Sequence, residues 1–455
     1  MVCRAIIVAV LSARITFSQA APASIADLTP RSSLTSADPV DLLARARVKL
    51  AAIARKLPKY TCLETIERAY YTTPAAKLSS SLMTEPASCE KKEIGKNGSL
   101  SLVAEDRLRL EVAVADSGEI HSWVGAGSFD SRSVFEMVSS GPISSGNFGT
   151  YLMDIFENPG ARLKYVGQRS EGSREILEYS FEVPVEASHY MIRLAAGAKA
   201  TGYRGSFQID AATADLTRLA EMTDQLPPEG HMCRARTSVD YHTVPIGSGQ
   251  LLIPRRSELH TLSPDTSETN SVTTYSACHE YSVESSLRFD DADDPAGAAK
   301  IPAPSPIHLP PGVTLTLALV NPIDAGTAAA GDPVTAKVSR AVRGKDAKEI
   351  LVPAGAIAHG RILQMRRQHT SSQFLISIAF ESLEINGSVS PISVQLEREL
   401  KAEKRNENEI HSRLPGFSFP PPSSGEKGSL FAMPAKSGGY AMAVGFESNW
   451  ITLPK

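Results

Sequence analysis

The chain has 455 residues, 42% of them hydrophobic and 21% charged, with a formal net charge of −3. This is the balance of an ordinary globular protein with room for two or three domains. The near-neutral charge lacks the basic excess that marks a nucleic-acid partner. Even the charged run Lys401 to Glu409 mixes both signs, as a solvated loop does.

The N-terminus reads MVCRAIIVAVLSARITFSQAAPAS. Arg4 precedes an apolar run from Ala5 to Ala13, and Ser18-Gln19-Ala20 offers small residues where a signal peptidase cuts. Residues 1–20 are therefore expected to be a signal peptide, and residues 21–37 a disordered N-terminal segment. The apolar run is well short of the ~18 residues a membrane helix needs. Cys3 lies before that run, which argues against a lipid-anchored mature N-terminus. The expectation is an exported protein, periplasmic or extracellular, with no transmembrane span.

Asp38-Pro39 is a cap and first-turn pair for a helix, and Leu43, Ala46, Leu50, Ile53 and Leu57 recur at three- and four-residue steps. Beyond this helix the chain alternates as strand: 60–71, 99–114, 119–124, 162–168, 175–183, 190–194, 203–210, 216–224, 234–244, 251–262 and 272–287. These runs are long and separated by short polar turns, the pattern of an antiparallel meander. A helical insertion interrupts them at 131–157, with apolar faces around a Gly-rich bend.

Four cysteines remain after Cys3: Cys62, Cys89, Cys233 and Cys278. An even set in an oxidising compartment reads as two disulfides, and sequence-neighbour pairing joins Cys62 to Cys89 and Cys233 to Cys278. The rival reading is a zinc set of His231, Cys233, Cys278 and His279. On strands, Cys278 and His279 point to opposite faces, so at most three of the four converge. No metal site is expected.

Residues 291–308 are rich in Asp at the start and then in Ala and Pro, without apolar periodicity. This is an expected linker between residues 38–290 and a second domain, 309–455. An EF-hand counted from Asp291 fails, because its twelfth position is Pro302. Beyond the linker, Leu309-Pro310-Pro311-Gly312 and Val352-Pro353-Ala354-Gly355 suit type I turns, or for the first copy a type II turn with Pro311 and Gly312 central. Val313, Leu315, Leu317 and Leu319 share one strand face. The apolar phase of Phe374 to Phe380 slips at Glu381-Ser382, which predicts a bulge. Residues 397–427 read as an irregular loop.

These elements predict a mainly β (α+β) protein: a curved antiparallel half-barrel with a few helices, followed by a small β-barrel domain. On FQIDAATADLTRLAE (207–221) and VDYHTVPIGSGQLLIPRRSEL (239–259), the first part resembles the LolA and RseB type of lipoprotein-carrier half-barrel. On Leu-Pro-x-Gly, an alternating strand, Asn-Pro-Ile, Gly-Asp-Pro-Val and a second Val-Pro-x-Gly, the second part resembles the TrbI-type barrel of secretion-channel outer rings.

Catalytic motifs are missing: there is no HExxH, Gly-x-Ser-x-Gly elbow or phosphate loop. Gly125-Ala126-Gly127 continues as Ser128-Phe129-Asp130, without the third glycine of a dinucleotide fingerprint. Glu119 with His121, and His279 with Glu280, are single acid and imidazole pairs. The expectation is a protein with no catalytic residues and no cofactor that binds an apolar ligand, a lipid or a lipoprotein. Trp123, Phe135, Tyr151 and Phe156 would line the site, and the 131–157 insertion would serve as a lid hinged at Gly141, Gly146 and Gly149. The alternatives are an adaptor for envelope protein partners and a hydrolase of unrecognised site.

Overall fold

The computed structural model describes residues 38–55, 60–73, 89, 100–280, 309–397 and 428–454, apart from short breaks at 116–117, 127–128, 130–132, 139–140, 145–147, 149, 195–196, 224–225, 228–231, 247–248, 345–348 and 436–440. The expected signal peptide, the 21–37 segment, the linker at 291–308 and nearly all of the 397–427 loop lie outside the described residues.

In the first part, helix α1 (Pro39–Arg55) is followed by β1 (Tyr60–Thr72), β2 (Ser101–Ala115) and β3 (Gly118–Trp123). The insertion contributes α2 (Val134–Met137) and α3 (Thr150–Phe156). Then come β4 (Arg162–Glu171), β5 (Arg174–Val183), β6 (Met191–Leu194), β7 (Gly197–Ala200), β8 (Tyr203–Asp210), β9 (Leu216–Thr223), β10 (Arg234–Ile246), β11 (Gly249–Leu262) and β12 (Glu268–Glu280). Pairing runs β4-β5-β8-β9-β10-β11-β12-β1-β2-β3, antiparallel at every step. Only β6 and β7 stand apart, as their own hairpin. A sheet of this many twisted strands must curl, and its two ends, β4 and β3, do not pair with each other. The result is the expected half-barrel.

Strand alternation puts Leu177, Tyr179, Phe181, Phe207, Leu219 and Val239 on the inner face, packed with Leu42, Ala46 and Leu50 of α1. The buried stripe of α1 thus starts at Leu42, with Leu43 only half-buried. The Tyr179 hydroxyl donates to Pro39 O at 2.7 Å and ties down the start of the helix.

The disulfides are Cys62–Cys278 and Cys89–Cys233, which corrects the neighbour pairing. The reason is sheet closure: β12 returns to lie against β1, with Thr61 opposite His279 and Leu63 opposite Ser276. That register brings Cys278 to Cys62, far apart in sequence and adjacent in space.

The second part contains β13 (Thr314–Leu319), β14 (Ile323–Asp324), β15 (Pro333–Val338), β16 (Val342–Arg343), β17 (Ile350–Val352), β18 (Ile357–Gln368), β19 (Gln373–Ile385), β20 (Ser388–Pro391), β21 (Val394–Leu396), β22 (Ser429–Pro434), β23 (Ala441–Met442) and β24 (Glu447–Thr452). Its main sheet runs β22-β19-β18-β15-β13-β24-β21 and curls around one core that includes Leu315, Leu317, Ile376, Phe380 and Trp450. Leu396 N–H donates to Ser429 Oγ across the two ends, β21 and β22. The predicted bulge is present: His359 opposes Ser382 and Gly360 opposes Phe380, leaving Glu381 over.

The turns that open β13 and β18 each hold a glycine in the left-handed region, Gly312 at φ 85° and Gly355 at φ 87°. Ala356 N–H donates back to Pro353 O, so Ala354 and Gly355 are the central residues. A glycine at positive φ in the third place belongs to a type II turn, which corrects the type I reading of the second copy. A third copy opens β24, where Phe446 N–H donates to Ala443 O and Gly445 has φ 77°. In all three turns the glycine N–H donates to the last rows of a neighbouring strand: Gly312 to Thr452 O, Gly355 to Val338 O, Gly445 to Leu319 O.

The two parts meet at β2. Residues 104–106 of β2 pair with 366–368 of β18, Arg109 N–H donates to Ala330 O, and Ala330 N–H donates to Arg107 O. Arg109 Nη1 reaches both carboxylate oxygens of Asp332 at 2.5 and 2.6 Å. Gly331, at φ 104°, lies so close that a Cβ there would stand 2.1 Å from Arg109 O.

Candidate functional site

The inner face of the half-barrel is covered by α1 and by a strap, the described residues of the insertion, 134–138, 141–144, 148 and 152–156, the latter packing into three separate apolar clusters. Val134, Met137, Val138 and Ile143 sit on Ile66, Leu108, Leu110 and Trp123. Phe148 sits on Tyr60, Val112, Ile253 and Tyr275, its ring 4.9 Å from Tyr275 and 5.8 Å from Tyr60. Leu152, Ile155 and Phe156 sit on Tyr179, Phe181, Phe207 and Leu219. Helices this short do not persist without tertiary support, so these contacts and a few polar anchors hold the strap.

The main anchor is Asp154 of α3. Its carboxylate accepts from Tyr203 Oη at 2.7 Å and Asn158 Nδ2 at 3.1 Å, and lies 2.5 Å from His189 Nδ1. Burial pushes the Asp154 carboxyl up, but hydrogen bonds from His189, Tyr203 and Asn158 outweigh it and hold the group below its ordinary value. A second anchor lies at Phe148, whose N–H donates to Glu119 Oε1 at 3.0 Å.

The expected ligand-lining residues do not share one place. Trp123 lies at the end of β3 in the cluster under α2. Phe156 lies under α3, its ring 4.7 Å from Phe207. Phe135 is 39% exposed, turned away from its buried neighbours Val134 and Met137. Tyr151 is on α3, and its side chain is outside the described set.

Residues not anticipated from the sequence carry much of the site. Between the apolar clusters, the inner face presents buried hydroxyls: Thr237 on β10, Ser257 and Thr261 on β11, Thr269, Ser271 and Thr273 on β12. Ser257 opposes both Val239 and Thr273, and its Oγ has no hydrogen-bond partner among the described residues. Toward β3, Glu64 and His121 are 2% and 3% exposed. Farther along, Arg68 donates to both oxygens of Asp106 at 2.6 and 2.9 Å, and Tyr70 Oη donates to the same carboxylate. Arg366 of β18 lies over the Tyr70 ring at 5.2 Å. The signal for Glu64 and Arg68 was in β1, where they occupy the same parity as Tyr60, Cys62, Ile66 and Tyr70.

The His121 imidazole faces Glu64, and Glu119 is engaged with the strap backbone. His279 contacts Thr61 Oγ1 at 3.1 Å and Ala277 O at 2.9 Å. Cys233 and Cys278 belong to different disulfides, so the rival zinc set is not assembled, and its His231 lies outside the described residues. Among the described residues no helix is long and apolar enough to cross a membrane.

No family model matches the chain. No curated protein matches it in sequence. Among solved structures, it is similar to a LolA superfamily protein from Nitrosomonas europaea, at 8% identity and a TM-score of 0.24, over 54% of this chain and 94% of that one. It is also similar to the lipoprotein LppX of Mycobacterium tuberculosis, at 11% identity and a TM-score of 0.20, over 54% and 98%.

Proposed function

We propose that this is a non-catalytic, exported binding protein of the cell envelope, which takes an apolar or lipid-like ligand, free or as part of a lipoprotein, between the inner face of its half-barrel and the 134–156 strap. The observation that carries this reading is that one strap, with only two short helices, covers three distinct apolar clusters of a sheet open along one side. Displacing it uncovers aromatic and aliphatic patches, set among buried hydroxyls, that an acyl chain can cover in its place, at about 25 cal/mol per Å² of apolar area. Among the described residues the strap is held to the sheet by side chains and not by strand pairing, which suits a segment that moves.

The test is titration of a fluorescent fatty acid into the full chain, read by emission. Saturable, stoichiometric binding is expected, with lost protection of amides 150–156 from hydrogen exchange in the bound state. Failure of the folded protein to bind, or binding with the strap fully protected, overturns the reading.

A further inference from the structure

The outer face of the sheet, opposite the strap, carries a groove of roughly 530 Å³ across β4, β5, β8, β9 and β10. Its floor is a row of small residues set side by side: Ser180 opposes Ser206, and Ser206 opposes Ala220. One wall is the next row, Arg162, Glu182, Arg204, Met222 and Arg236, paired strand to strand in that order. Lys164 stands at one end of the floor row, opposite Ser180. The groove lining thus sets four cations, Arg162, Lys164, Arg204 and Arg236, against two carboxylates, Glu182 and Glu221, of which Glu221 is buried, in a chain whose net charge is −3. Arg162 and Glu182 form a weak, exposed ion pair, 3.7 Å apart with side chains 73% and 58% exposed.

The three arginines fall on alternate strands. Strands are spaced by ~4.8 Å, so Arg162, Arg204 and Arg236 lie about 10 Å apart, and the groove spans roughly 19 Å. In a polyproline II chain, three residues make one turn and advance about 9.3 Å, so side chains at i, i+3 and i+6 face one way at nearly that spacing. The small floor beside this taller row admits one extended chain. Carboxylates at such positions match the planar guanidinium fork.

We propose that this groove binds an acidic segment of a partner protein in extended, polyproline II form, with an aspartate or glutamate at every third residue. The proposal stands apart from ligand binding on the inner face. Binding would leave the Met222 side chain against the intervening apolar residues of the partner and would weaken with salt.

The experiment uses the full chain and two fluorescein-labelled synthetic peptides of one composition, one with Glu at every third position among prolines and alanines, the other with its Glu residues contiguous. Fluorescence anisotropy is expected to show the spaced peptide binding at least about fivefold tighter. Arg204→Glu and Arg236→Glu, both at exposed positions, should each weaken it by roughly tenfold or more with unchanged thermal unfolding. Equal affinity for the two peptides, or binding indifferent to both substitutions, overturns the proposal. So does co-sedimentation with phosphatidylglycerol vesicles that both substitutions abolish while neither peptide binds, because the face would then be membrane-directed.

Discussion

His121 Nε2 lies 3.3 Å from Glu64 Oε2, and both residues are nearly removed from solvent. Burial alone would drive the imidazole neutral; the hydrogen bond to Glu64 and its charge, with Glu119 adding to it, outweigh burial and hold His121 above its ordinary value of 6.5. A raised folded value means that the pair's stabilisation is fully present below about pH 6.5 and is lost as pH rises through the folded value. The urea midpoint of the wild type is therefore expected to fall as pH rises above about 6.5, and that of His121→Gln to stay level over the same range. A wild-type midpoint that rises with pH there would refute the assignment.

Asp154 offers a way to loosen the strap without touching its apolar contacts. Asp154→Ala removes the acceptor shared by the Tyr203 hydroxyl, Asn158 and His189, while Asn158 keeps its bond to Ala187 O, at an expected cost of about 1 to 3 kcal/mol. Amide exchange should accelerate in residues 150–156 and stay unchanged in β18 and β19. Uniform acceleration through both parts would mean that the strap does not open independently. Because the Asp154 carboxyl is held below its ordinary value, its contribution is present above about pH 4 and disappears as pH falls through the folded value.

Cys62–Cys278 and Cys89–Cys233 span 216 and 144 positions of sequence. In the chain-entropy treatment, closing loops of this size stabilises by up to about 5 kcal/mol each. Cys62→Ser with Cys278→Ser should lower the denaturant midpoint and steepen its slope, because the denatured chain without the cross-link exposes more surface. Non-reducing peptide mapping should recover Cys62 with Cys278, and a Cys62–Cys89 peptide would contradict the register of β1 against β12.

The junction at β2 sets an expectation for cleavage. We propose that residues 291–308 are a protease-sensitive linker between two domains, and that the nicked halves stay together through the β2–β18 pairing and the Arg109–Asp332 ion pair. The nicked protein should elute as one species, and Asp332→Ala should promote its separation. Gly331→Ala should destabilise the intact chain by roughly 1 to 3 kcal/mol, because alanine is strained at a φ of 104° and its Cβ meets the Arg109 carbonyl. Halves that part at once on cleavage of the wild type would show the junction to be weak.

Much of the half-barrel was legible in the chain, because period-two alternation over long runs is a local signal. Every long strand predicted from Tyr60 to Leu262 has a counterpart, with ends shifted by a few residues, and the bulge at Glu381 was visible as a phase slip. The long-range relationships could not be read. Cys62 finds Cys278 only because the sheet folds back on its first strand, and nothing near either residue says so. Arg107 and Arg109 look like solvent-facing positions of β2; their partners Gly326 O and Asp332 lie in another part of the chain. The third turn escaped notice because Ala443-Val444-Gly445 lacks the proline that marked the other two. In the insertion, a helix of four residues gives no reliable face: Phe135 turned outward, while Phe148 turned in.

β2 uses both of its edges, and on one of them it is shared: residues 110–115 bond to β3, while 104–106 bond to β18, with Ala330 bonded between. The half-barrel is made first as the chain is synthesised, and β18 arrives much later. Until then the backbone groups of residues 104–109 on that side have no strand to pair with, and an open strand edge recruits whatever strand comes by, including one from another copy. The second part therefore serves the first as a late-arriving cover, and the order in which this protein is made works against its own solubility until the last third of the chain has arrived.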